Sequence, residues 1–151
     1  MATNPVNPQI SQGTLNRVRA SVIVAGYTSL NIASSYMGKN FVSVRFDGDF
    51  SQLINTATGA VTSPEPYVFA DIEVDLLRTQ SLSQDWMTQA KATSVLGDVT
   101  VHPDTTTFDA MQFNDVVIRH IDPGAFDGQD PVVRLSLRGV FFINNNLWTF
   151  V

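Results

Sequence analysis

The segment YVFADIEVDLLRTQ, residues 67 to 80, alternates with a period of two: Ile72, Val74 and Leu76 point to one side, Asp71, Glu73 and Asp75 to the other. Successive side chains of a strand project to opposite faces. A chain built on such segments must form sheets with one apolar face, and that face has to be covered. The pattern recurs in NFVSVRFDGDF, where Val42, Val44 and Phe46 alternate with Ser43, Arg45 and Asp47, and in PVVRLSLRGVFFINN, where Val133, Leu135 and Leu137 alternate with Arg134, Ser136 and Arg138. RVRASVIV, residues 17 to 24, reads as a first strand ending at Ala25-Gly26, and DVTVHP and FDAMQFNDVVIRHI add two more. The turn DPGAFDGQDP precedes the last strand.

One segment breaks the period. Leu82, Trp86 and Ala90 recur at i, i+4 and i+8, with Gln84, Asp85, Gln89 and Lys91 on the rest of the circumference, which predicts a helix over 81–93. Ser81 and Gln84 have the spacing of a capping box. Before the opening strand, DGDFSQLINTATGAVTSPEP, residues 47–66, places Ile54 and Thr56 before a Thr58-Gly59 turn, Val61 and Thr62 after it, and a Pro-Glu-Pro exit at 64–66. It reads as a long protruding hairpin. Residues 1–16 are rich in Asn, Pro, Gln, Ser and Thr, with prolines at 5 and 8, and read as an arm. The expected fold is mainly β: an antiparallel barrel or sandwich with one flanking helix, in a single domain over 1–151. No internal repeat is present.

Composition narrows the function. Only 15% of residues are charged, against roughly 25% in an average soluble domain, so a self-associating surface is expected. A formal net charge of −5 argues against tight nucleic-acid binding, which rests on Lys and Arg displacing counterions. With no cysteine, disulfides and thiolate chemistry are excluded. The first sixteen residues contain no basic stretch followed by an apolar run, and no segment approaches the ~20 apolar residues of a membrane span, so a protein without a membrane anchor, assembled inside a cell, is expected.

The three carboxylates admit several readings. Same-face neighbours on a strand are roughly 6.6–7 Å apart, too far to converge easily on a cation whose oxygen ligands lie at about 2.0–2.6 Å. An acid/base pair would need two environments that drive the pKa values apart, and no cleft is evident in the sequence. A solvated or cross-strand-paired face, with Arg134 and Arg138 as partners, is the plain reading. His102 and His120 each precede an aspartate by two residues, in HPD and HID, yet no nucleophile elbow, metal-binding helix motif or phosphate loop accompanies them. No catalytic residue, metal or cofactor is expected. Phe141, Phe142, Trp148 and Phe150 form a terminal aromatic group that something must cover.

The order LNRVRASV, MGKNFVSVRFDGD, TGAVTSPEPY and LLRTQSLSQDWMTQ, followed by closing strands, resembles the tail tube protein of contractile-tailed bacteriophages across nearly the whole chain. Secretion-system tube proteins share that architecture. The resemblance implies six copies in a ring, stacked rings forming a hollow inner tube, and passage of DNA through the bore. It implies as partners further copies of the chain and the tail sheath, tape-measure and baseplate proteins, in a virion tail assembled in the host cytoplasm. Under it, Asp71, Glu73 and Asp75 become candidates for a bore lining that repels phosphate. Ile54, Thr58, Gly59, Val61, Pro64 and Pro66 of the hairpin, with Phe141, Trp148 and Phe150, become candidates for contacts between subunits. A monomeric β-sandwich recognition module, such as a carbohydrate-binding domain, and a small hydrolase using His102 or His120 are the alternatives.

Overall fold

In the computed structural model, residues 9–16 and 18–148 are described. They form a mainly β fold in which one antiparallel sheet curls into a half-barrel beside a single α-helix. Strands β1 (Ser21–Val24), β2 (Met37–Asp47), β5 (Tyr67–Leu77), β6 (Val95–His102), β7 (Met111–Asp122) and β8 (Val132–Phe142) make a six-stranded sheet in the order β1-β6-β7-β8-β5-β2. Strands β3 (Ser51–Asn55) and β4 (Ala60–Pro64) form a separate two-stranded hairpin. Helix α1 spans Leu82–Ala92.

The period-two pattern fixes which face is inside. Ile72, Val74 and Leu76 of β5 are buried with Leu135 and Leu137 of β8, Val99 and Val101 of β6, Phe113 and Val116 of β7, and Val22 and Val24 of β1. Val42, Val44 and Phe46 of β2 pack on the margin of this cluster. Helix α1 contributes Leu82 and the fully buried Trp86, with Ala90 against them, as the i, i+4, i+8 stripe requires. Each large apolar side chain so buried stabilises the fold by about 1.5–3 kcal/mol.

The sheet curls where the ladder slips. Register shifts fall between Met37 and Val42, between Asn114 and Val117, and on either side of Gly97. Phe41, Asp115 and Gly97 have φ values of 49, 52 and 86° there. An extra residue in left-handed conformation bends and twists its strand, so these bulges turn a flat ladder into a curved one.

Three details differ from the sequence expectation. The first strand is shorter than 17–24: it begins at Ser21, and Arg17 lies outside the described residues. The stretch after it folds into two 3-10 turns, Thr28–Leu30 and Ser34–Tyr36, which bury Leu30 and bring Ile32 into a two-way backbone pairing with Val22. The capping box does not form. Ser81 takes a helical φ/ψ of −65/−18° that turns its hydroxyl away from the cap position, and the Gln84 side chain donates to Thr88 Oγ1 instead. Residues 9–16 of the arm are exposed without regular structure, and residues 1–8 lie outside the described ones.

Gly139 in β8 faces β7 with no room for a side chain. A Cβ there would stand 2.6 Å from Val116 Cγ2 and 3.3 Å from Phe113 Cβ, both in the core. Gly139→Ala should therefore destabilise the fold by about 1–3 kcal/mol through overpacking. The test is the denaturant midpoint at unchanged m-value, and an unshifted midpoint would show that β7 can retreat freely.

Candidate functional site

The non-core face of the sheet is an ordered lattice of charges, set by register. Asp71 on β5 stands opposite Arg138 on β8 and Arg45 on β2; Glu73 stands opposite Ser136 and Ser43; Asp75 stands opposite Arg134. One row further, His120 and Asp122 of β7 face Ser136 and Arg134. All three carboxylates thus lie on one face, as their alternation demands.

They do not make a continuous acidic wall. Asp71 Oδ1 accepts hydrogen bonds from Arg138 Nη1 and Arg119 Nη1, both at 3.2 Å, and Arg138 Nη2 donates to Asp47 Oδ2 at 2.8 Å. The Asp47 bond, joined by Asp71 alongside, raises the Arg138 pKa above its ordinary value despite the opposing effect of burial. Arg138 also lies over the Phe69 ring, 4.9 Å from its centroid. Four arginines, Arg45, Arg119, Arg134 and Arg138, share this face with Asp47, Asp71, Glu73, Asp75 and Asp122. Glu73 is exposed, whereas Asp75 is only 9% exposed and walls a cleft of about 390 Å³ with Glu73, His120, Asp122 and Arg134. Among the described residues no group of three or more His, Asp or Glu is placed to hold a metal ion, and neither histidine side chain has a hydrogen-bond partner. The partnership of Asp71 with Arg138 was legible from alternation on both strands; that with Arg119 was not, because the bulges in β7 change which of its residues reach this face.

Beyond Asp71 the face turns aromatic. Tyr67, Phe69 and Phe142 are 44, 43 and 37% exposed, and the Tyr67 and Phe69 rings meet edge-on at 5.8 Å.

The second feature is the hairpin. Its strands pair from Ser51↔Pro64 to Asn55↔Ala60, and the connection is four residues, 56–59, closed by Thr56 N–H to the Gly59 carbonyl and by Gly59 N–H to Thr56 Oγ1. Thr58-Gly59 is therefore the second half of the turn and not the whole of it. Leu53, Ile54 and Val61 are 74, 50 and 54% exposed. Ile54 pairs with Val61 on one face and Leu53 with Thr62 on the other, so neither face is covered.

What holds the hairpin is at its base. Asn144 Nδ2 donates to the carbonyls of Phe50 (3.1 Å) and Glu65 (2.7 Å), which are themselves bridged by Glu65 N–H to Phe50 O. Asn144 has φ of 53°, a left-handed conformation that asparagine tolerates better than most residues. Ile143 N–H donates to the Pro66 carbonyl, and Trp148 Nε1–H to the Pro64 carbonyl. Pro64 and Pro66 are thus acceptors in an intrachain clamp, and Trp148, 43% exposed, is pinned to the hairpin exit. Phe141 turns inward and packs with Phe46 and Phe113 at ring distances of 5.1 and 5.5 Å, while its neighbour Phe142 faces out. Phe150 lies outside the described residues. The Asn144 clamp was missed in the sequence; its one signal was an asparagine run directly after a strand.

Asn144→Gly keeps the left-handed backbone but removes both clamp bonds, and Asn144→Ala adds backbone strain. Each lost bond is worth about 1 kcal/mol, so amide exchange across residues 51–64 should accelerate by roughly ten- to a hundredfold in either variant. The six-stranded sheet should keep its protection. Equal acceleration in β5 and β8 would mean that the clamp stabilises the whole fold and not the hairpin alone.

No family model matches the sequence, and no curated protein sequence matches it. Among solved structures, the chain is similar to the tube-terminating cap in the cryo-EM structure of the anti-feeding prophage cap, with 11% identity, 92% of this chain and 98% of that chain covered, and a TM-score of 0.49.

Proposed function

We propose that this chain is the repeating subunit of a hollow tube, the inner tube of a contractile tail, in which six copies close a ring, rings stack, and DNA passes through the bore. The hairpin is the observation that carries this reading. A two-stranded ribbon with Leu53, Ile54 and Val61 exposed on its two faces is marginal by itself and needs a covering surface. The clamp at its base holds it out from the sheet, where a second copy can supply that cover. β2 adds a second open surface: among the described residues its eleven positions pair only with β5, and an unpaired edge this long invites pairing with another chain. The resemblance of nearly the whole sequence to tail tube proteins points the same way.

The charge lattice fits a bore lining of a different kind from an acidic wall. Asp71 occupies Arg119 and Arg138 within the same chain, so their guanidiniums are not free to hold phosphate, and Glu73 stands exposed between serines. A face on which two of the four arginines are held by carboxylates offers a polyanion fewer counterion-releasing contacts than four free guanidiniums would. A monomeric recognition module would instead use the strip of Tyr67, Phe69 and Phe142 as its platform.

Electron microscopy of the purified chain at high concentration separates the two readings. Stacked rings are expected, and replacing residues 51–64 by a short turn should abolish them while leaving the melting transition of the sheet in place. Monomers at every concentration would favour the recognition module.

Asp71→Asn tests the lining. It leaves Arg119 without its carboxylate and Arg138 with Asp47 alone, so assembled particles should bind duplex DNA about tenfold more tightly at low salt, with a steeper salt dependence, and lose the difference at high salt. Glu73→Gln, which frees no arginine, should change binding far less. Equal affinities for wild type and Asp71→Asn would remove this face from the path of the DNA.

A further inference from the structure

We propose that the cleft walled by Asp75 binds a primary ammonium group, at a site that stands whether or not the chain builds a tube.

Among the described residues the buried polar side chains are Asp75 and Ser136, 9 and 6% exposed, and both line this cleft. Neither side chain has a hydrogen-bond or ion-pair partner there. Asp71, on the same face of β5, accepts from Arg119 and Arg138, whereas the more deeply buried Asp75 accepts from nothing. Arg134 stands in register between Asp75 and Asp122, yet forms an ion pair with neither. Burying a carboxylate without a donor is costly, so a donor from outside the chain is well rewarded. The core side chains of Val74 and Leu76 fix Asp75 in place, and β2 backs it so closely that a Cβ on Gly38 would stand 3.2 Å from Asp75 Cβ. Backed in this way, the carboxylate opens to the cleft.

The rest of the lining selects the ligand. Glu73 and Asp122 add two carboxylates, and Asn40 and Ser43 an amide and a hydroxyl, against the single guanidinium of Arg134 and the His120 imidazole. The excess of carboxylates favours a cation. A metal ion needs several oxygens at about 2.0–2.6 Å, and among the described residues no three His, Asp or Glu are placed to supply them. An ammonium group bonds at roughly 2.7–2.9 Å and is satisfied by two or three acceptors. Those available come from β2, β5, β7 and β8 and so approach from several directions, which suits three divergent N–H groups better than the flat edge of a guanidinium. A volume of about 390 Å³ has room for the group and a short carrier. The group has two sources: a small free amine, or one of the chain's two lysines, Lys39 and Lys91, from a second copy.

The test is an NMR titration of the full-length chain with putrescine at low salt. Saturable amide shifts centred on Asp75, Ser136 and Ser43 are expected. Tetramethylammonium, which is cationic but has no N–H donor, should bind about tenfold more weakly or worse, and Asp75→Asn should weaken putrescine by a similar factor. Asp85→Asn removes the same charge from helix α1, outside the cleft, and should leave binding unchanged. Should Asp75→Asn fail to fold, Ser136→Ala is read in its place, with a loss of about threefold to tenfold. The Lys39→Gln/Lys91→Gln variant separates the sources. Equal binding by wild type and this variant identifies a free amine; binding by the variant alone shows that a lysine of a second copy fills the wild-type cleft. Both results uphold the site. No saturable shift in either protein, equal binding of tetramethylammonium, or full affinity in the cleft variant overturns it, and none of these outcomes bears on ring formation.

Discussion

The structure depends on the pairing of β5 with β8, an unbroken ladder from Tyr67↔Phe142 to Leu77↔Val132. All the other registers in the main sheet except that of β1 slip somewhere, but this one holds over eleven pairs. Its register decides both faces at once. With Ile72 opposite Leu137 and Val74 opposite Leu135, the core forms; with Asp71 opposite Arg138 and Asp75 opposite Arg134, the charge lattice forms. A slip of one residue would drive Asp71, Glu73 and Asp75 into the core, where an unpaired carboxylate costs several kcal/mol. Burial of the apolar side therefore fixes the geometry of the charged side, and no separate device is needed to align Arg138 between Asp47 and Asp71.

This coupling explains what could be read in advance. Strands β2, β5 and β8 and helix α1 announced themselves because their periodicity is dictated by burial, and burial is written residue by residue. The 3-10 turns at 28–36 and the bulges at Phe41, Gly97 and Asp115 carried no periodic signal. Phe41 and Asp115 adopt positive φ because neighbouring strands require the extra residue, a tertiary demand that local preference does not reveal. The capping box failed for a related reason. Its spacing was right, but the direct handover from β5 through Thr79 and Gln80 sets Ser81 in a helical conformation, from which its hydroxyl cannot cap.

The candidate site was legible in part. Alternation placed Asp71, Glu73 and Asp75 on one face and suggested arginines from another strand as partners. It could not show that Asp71 alone is ion-paired, that Asp75 is nearly buried and that Glu73 alone is exposed, since those differences arise from neighbours on β2, β7 and β8. Reading one strand in isolation exaggerated the negative charge of the face. The aromatic ending misled in the opposite sense: Phe141 and Phe142 are adjacent in sequence, so one of them must enter the core, and period two decides that it is Phe141.

The core and the exposed apolar groups lie on different parts of the chain. The sheet and Trp86 hold the fold, whereas the hairpin and the 123–131 loop add almost nothing to the core and are fixed chiefly by hydrogen bonds from single side chains, Asn144 in one case and Arg78 in the other. Each uses a long-range side chain to order a backbone segment that carries exposed apolar groups. Exposed apolar groups on a mobile segment would bind many surfaces weakly; on a held segment they select a surface of matching shape, because the wrong partner cannot induce a fit. The low overall charge is consistent with this division, since it leaves the charged residues concentrated on one sheet face and in the loops. Removing either clamp should then loosen specificity of association before it lowers the stability of the fold, an order of loss that a chain relying on these segments for its core could not show.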